Sequence, residues 1–70
     1  NPAQDVITIN SAFALQRVAI YNSLGALVQQ AVLTKEISSS IDVHSLSNGM
    51  YSVEIVSEKG RIVKKLLIHK

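Results

Sequence analysis

Leu46-Ser47-Asn48-Gly49-Met50-Tyr51-Ser52-Val53-Glu54-Ile55 is the stretch on which the fold of this 70-residue chain turns. An Asn-Gly turn feeds a run in which Tyr51, Val53 and Ile55 fall on one face. Ser52 and Glu54 fall on the other. That period of two marks a half-buried strand. Gly49 suits a backbone site with positive φ, and Asn48 tolerates a similar geometry. Leu46 is placed to plug the end of a core. A second turn at Glu58-Lys59-Gly60 leads into Arg61-Ile62-Val63-Lys64-Lys65-Leu66-Leu67-Ile68-His69-Lys70. Strand, short glycine turn, strand is the pattern of a β-hairpin.

Working outward, the same alternation recurs. Asn1 to Asp5 reads as an extended lead-in, because Pro2 keeps Asn1 out of the helical region. Val6 to Ile9 is rich in β-branched residues and reads as a strand. Ala12 to Leu15 is a short strand or a loop that drops Phe13 or Leu15 into the core. Arg17 to Asn22 is a strand with Val18 and Ile20 on one face. A turn at Asn22 to Gly25 places Gly25 where a left-handed backbone is most often needed. Ala26 to Leu33 is its partner strand, and the alternation slips at Gln29-Gln30, as in a bulge or an edge strand. Thr34 to Ser40 is polar and serine-rich and reads as a loop, with Ile37 as an anchor. Ile41 to Val43 is a further short strand. This spacing, with no helical stretch, predicts a small antiparallel sandwich or barrel.

The totals narrow the function. A chain of this length is one domain, 1–70, with a thin core. The apolar fraction of 47% is ample for a folded domain and argues against disorder. There is no cysteine to staple the fold. The net charge is only +2. Arg61, Lys64, Lys65 and Lys70 cluster at the end, but Phe13, Tyr21 and Tyr51 are the only aromatic residues. Nucleic-acid binding normally needs a broader basic patch with aromatic platforms, so no nucleic-acid partner is expected. No apolar run reaches the roughly 20 residues of a membrane-spanning helix. The chain lacks a signal peptide and an initial Met and reads as a piece of a longer precursor.

Catalytic chemistry finds no footing. His44 and His69 are far apart, with no neighbouring ligand cluster. Asp5, Glu36, Asp42, Glu54 and Glu58 are scattered and lack a paired spacing for acid–base work. Ser38 to Ser40 has no nucleophile elbow around it. No cofactor and no metal are expected.

In their order and spacing, other residues carry a family likeness. They are Asn1-Pro2, Val18-Ala19-Ile20-Tyr21-Asn22, Gly25, Ile41-Asp42-Val43, Leu46, Gly49-x-Tyr51-x-Val53 and the closing Lys64-Lys65-Leu66-Leu67-Ile68. Over nearly its whole length the chain resembles the C-terminal sorting domain (type A) of cargo proteins of the type IX (Por) secretion system of Bacteroidetes. The resemblance implies an immunoglobulin-like β-sandwich of about seven strands. It implies a signal read by the translocon after the precursor reaches the periplasm. A sortase-like protease then usually removes the domain upstream, and the cargo ends at the cell surface or outside the cell. No upstream linker is present, so the cleavage site is expected before Asn1.

The translocon-facing candidates are Gly49, Tyr51, Lys64, Lys65, Leu66, Leu67, Ile68 and Lys70. For Gly49 and Tyr51 the competing reading is a hairpin glycine and a core tyrosine with one hydroxyl partner. For the lysines it is solvated charge that guards an edge strand. In a regular strand Leu66 and Ile68 share one face, and Val63 and Leu67 the other. Such a strand is covered on both sides, or one face awaits a partner. An exposed edge also lets two copies pair as a homodimer. The rival function is an immunoglobulin-like accessory or spacer module of a surface protein.

Overall fold

The computed structural model describes residues 6–69, with residues 34–36 as backbone alone. Asn1 to Asp5 and Lys70 lie outside the described residues. Four strands follow in order: β1 (Val6–Tyr21), β2 (Leu27–Asp42), β3 (Gly49–Ser57) and β4 (Gly60–Ile68). Every pairing is antiparallel, and the sheet order is β2-β1-β3-β4. The all-β antiparallel expectation is met. The seven short segments are not separate strands in the ladder. Val6–Ile9, Ala12–Leu15 and Arg17–Tyr21 run together as β1. Leu27–Leu33 and Ile41–Asp42, from the two segments expected as Ala26–Leu33 and Ile41–Val43, are joined through residues 34–40, expected as a loop but here the middle of β2. Backbone pairing overrides the polar composition there, since serine backbones pair as well as any others.

β1 and β2 cannot be straight. Sixteen residues at about 3.3 Å each would span roughly 50 Å, whereas the longest dimension of the molecule is 30 Å. The register shows where the hairpin bends. Asn10 faces Ser38 and Leu15 faces Glu36, so five steps on β1 oppose two on β2. Leu15 to Arg17 then opposes Glu36 to Val32, two steps against four. Irregularities of this kind bend a strand sharply. The two ends of the folded hairpin meet again: the Gln29 side-chain amide donates to the Asp42 carbonyl. Gln29 pairs with Ile20 and Asp42 with Val6, so the Val6 end lies back beside the Ile20 end.

This fold-back encloses the core. Ile9 and Ile41 from the returning limb pack in one cluster with Val18, Ile20, Tyr51, Val53 and Ile68. Val43 and Leu46, in the link between β2 and β3, close the end as expected of Leu46. A bulge decides the fate of Leu15. It faces Ser57, while Arg17 faces Val56, so one step on β3 opposes two on β1. The extra residue turns Leu15 to the same side as Val18 and Ile20, where it is fully buried. Phe13 stays outside, with the Lys59 ammonium 5.6 Å above its ring. Ile37, expected as an anchor, is 62% exposed on β2. Both readings of the slip at Gln29-Gln30 hold: β2 is an outer strand, and beside Gln29 one step on β1, Ile20 to Tyr21, opposes two on β2, Gln29 to Leu27, as in a bulge.

Candidate functional site

The β3–β4 hairpin positions the candidate residues. Its register runs without interruption from Gly49↔Ile68 to Ser57↔Gly60. Gly49 has a φ of +154° where the chain enters β3. Tyr51 points inward, and its hydroxyl donates to the Ser47 carbonyl at 2.6 Å. That single bond satisfies the polar tip of a buried ring. Leu66 pairs with Tyr51 and is half-buried. Ile68 faces Gly49 and is fully buried. Gly49, Tyr51, Leu66 and Ile68 therefore gather at one end of the core.

The remaining candidates separate from them. Lys65 pairs with Ser52 and Leu67 with Met50, which puts both on the opposite, outer face. Lys64 pairs with Val53 on the inner side. It is nevertheless exposed, because β4 is the edge strand. Lys64 and Lys65 thus face opposite ways, as strand geometry requires. At the Leu66–Ile68 end the outer face of β4 is the uncovered one, with Leu67 42% exposed; Val63, further along the same face, is 53% exposed. Met50, beside Leu67, is also exposed.

The same outer face holds a polar cluster that sequence reasoning missed. The Arg17 guanidinium donates to Glu54 Oε1 at 2.9 Å, and Arg61 Nε donates to Oε2. The Tyr21 hydroxyl reaches Oε1 at 3.5 Å. Register explains the convergence. Arg17 and Arg61 both sit opposite Val56, one from β1 and one from β4. Glu54 lies two residues along β3 on the same face, between Ala19 and Val63. The small Ala19 leaves the carboxylate room to receive both cations. The Arg61 hydrogen bond, above all, holds the Glu54 carboxyl below its ordinary range. Burial pushes the other way, and the charges of Arg61 and Arg17 and the Tyr21 hydroxyl add to the lowering. A carboxylate held ionised by two arginines is a cross-strand clamp, poorly suited to proton transfer. The one signal in sequence was an acid in the middle of an apolar strand, and Arg17 is 37 residues away.

Elsewhere, Asp42 Oδ1 accepts the backbone amide of His44 at 2.9 Å and lies 2.8 Å from its Nδ1. This is an exposed local turn. Among the described residues no three His, Cys, Asp or Glu side chains converge. No helix there is long and apolar enough to cross a membrane.

The buried Tyr51–Ile68 end, the glycine entry to β3 and the lysine-flanked last strand are among the features on which the family likeness rested. Residues 1–69 match the family described as the secretion system C-terminal sorting domain. The chain belongs to the type IX sorting-domain family. This sorting domain is a secretion signal that acts with its secretion system, and its family is not a family of enzymes. Its cargo is exported to the cell surface or beyond, and such domains are usually cleaved off. No curated protein and no solved structure matches the chain.

Proposed function

We propose that the type IX translocon reads this sorting domain as a folded shape, on the outer face and free edge of β4. The observation that carries the reading is the contrast between neighbours in one strand. Leu67 is 42% exposed beside Lys65 on the outer face, and Ile68 is fully buried. Lys65 and Leu67, with the free edge of β4, are the groups a partner touches. Gly49, Tyr51, Leu66 and Ile68 act through the fold that holds that strip in place. Lys64 borders the strip from the inner side, and Lys70 belongs to the same terminal segment.

The returning limb of the β1–β2 hairpin supports a reduced immunoglobulin-like sandwich, since it lays a second layer over the sheet. Recognition takes place after the precursor reaches the periplasm, and a sortase-like protease then cuts upstream of the domain. An exposed edge binds a partner strand through main-chain hydrogen bonds. Self-pairing of β4 about its centre would set Lys64 against its own copy, with both copies of Lys65 next to that pair, which like charge disfavours. The edge therefore suits a different partner strand, and a homodimer would pair through β2.

The test is secretion of a fluorescent reporter carrying an N-terminal export signal and this domain at its C-terminus, in a type IX-competent bacterium. A Lys65→Glu/Leu67→Ser double variant is compared with the parent and with a version lacking residues 66–70. The double variant is expected to stay folded by circular dichroism while the reporter remains in the cell envelope. Normal export of a folded double variant would move recognition to another surface. Failure of export with the folded parent domain would overturn the translocon reading itself.

A further inference from the structure

The inner side of β4 holds a second surface, distinct from the outer strip. The first limb of β1, Val6–Asn10, pairs with residues 38–42 of β2. β3 joins β1 only from Leu15 onward. Among the described residues, the other edge of Val6–Asn10 has no neighbouring strand. Thr8 to Asn10 of that limb, with Ser11 just after it, form one wall of a cleft of about 180 Å³ whose other side is Ile55, Ile62 and Lys64. A second cleft, of about 380 Å³, shares Asn10, Ser11, Ile55 and Ile62 and runs on to Phe13 and Lys59. The shared residues make the two one groove.

The groove has the form of a missing strand. Its wall is four consecutive backbone residues, about 13 Å long at strand spacing. Its floor is apolar. Ile62 faces Ile55 on the core side of β4, yet it is 53% exposed. The layer that returns over the sheet stops short of β4 and leaves this pair half-covered. The two ends of the floor are cationic. Lys64 lies at one end, and Lys59, over the Phe13 ring, at the other. Arg61 also lines the groove, but its guanidinium is engaged by Glu54. Glu58 is the one acid of the adjoining turn.

We propose that this groove accepts an extended acidic segment of a partner protein as an added strand beside Thr8–Ser11. Alternate apolar side chains of the segment would cover Ile55 and Ile62, and a carboxylate near each end would meet Lys59 and Lys64. The free edge supplies main-chain hydrogen bonds, and the floor and end charges supply the choice of sequence. A copy's own β4 is the wrong occupant, because it would bring Lys64 and Lys65 to the same cations.

The 70-residue chain, labelled with nitrogen-15, is titrated with the peptide Glu-Thr-Val-Thr-Val-Thr-Glu. Its end carboxylates lie on one face, six steps or about 20 Å apart. That is within side-chain reach of Lys59 and Lys64, five steps apart along the chain. Amide shifts and slowed exchange are expected at Thr8 to Ser11, with shifts at Ile62 and Lys64. Replacing the end residues by lysine is expected to weaken binding about threefold or more, since each exposed pair is worth a factor of up to about five. A Lys59→Glu/Lys64→Glu variant is expected to reverse that preference, which mere loss of folding cannot do. No perturbation of Thr8 to Ser11 at millimolar peptide would overturn the proposal. So would equal binding of both peptides, or shifts confined to Lys65 and Leu67. The sorting reading does not depend on this groove, and reporter export tests it separately.

Discussion

Ile68→Ala and Leu67→Ala differ by one position in the last strand, and the structure assigns them different consequences. Ile68 is fully buried. Truncating it removes three carbons, about 2.4 kcal/mol at about 0.8 per buried CH₂. A cavity that cannot collapse raises the cost toward about 5 kcal/mol. Leu67 is 42% exposed, so only about six-tenths of the transfer value, about 1.4 kcal/mol, is at stake and no enclosed cavity forms. A domain of this size has on the order of 3–5 kcal/mol in all. The first change therefore leaves a domain near its unfolding threshold, and the second leaves it folded. Urea unfolding followed by far-ultraviolet circular dichroism reads this directly. With a slope of about 1 kcal/mol per molar, the midpoint falls by about 2.4 M or more for Ile68→Ala. For Leu67→Ala it falls by about 1.4 M or less. Reporter export measured on the same variants separates the two roles. Ile68→Ala should lose export in step with folding, and Leu67→Ala should lose more export than its stability explains. Equal midpoints, or a larger loss for Leu67→Ala, would refute the assignment of the two faces.

Three further outcomes are expected. The lowered Glu54 carboxyl contributes stability above its unfolded value that is lost as pH falls through its folded value. The urea midpoint should therefore drop on acidification through the carboxylate range, and Glu54→Gln should flatten that drop; an unchanged slope counts against the clamp. Tyr51→Phe keeps the ring but deletes the bond to the Ser47 carbonyl, so unfolding should move by about 0.5–1.5 kcal/mol with export retained in proportion. Gly25 has a φ of +84° and no atom within 4 Å of an added Cβ. Gly25→Ala should cost about 1–2 kcal/mol through backbone conformation alone, and a thermal midpoint that does not fall would contradict that geometry.

Residue order alone determined a good deal of this protein. The period of two in Tyr51, Val53 and Ile55 and in Val18 and Ile20 set which side chains point together, because alternation is built into an extended backbone. The glycines at positions 25 and 49 marked sites of positive φ. The two apolar faces of Leu66–Ile68 and Val63–Leu67 were also legible, as was the family likeness. Alternation, however, says nothing of where one strand ends and the next begins when both share a backbone direction. The seven short segments therefore ran together into four strands. The fold-back of the β1–β2 hairpin came from unequal residue counts between paired positions, which exist only once a partner is chosen. The turning of Leu15 into the core by a bulge against β3 has the same origin. Glu54 became the centre of a clamp because β1 and β4 deliver Arg17 and Arg61 to the two sides of Val56. Which apolar face of β4 would be covered was likewise a tertiary decision. The link Val43–Leu46 and the returning limb close over Ile68, and nothing in the described residues closes over Leu67. Local pattern specifies facing; pairing between distant segments specifies what each face meets.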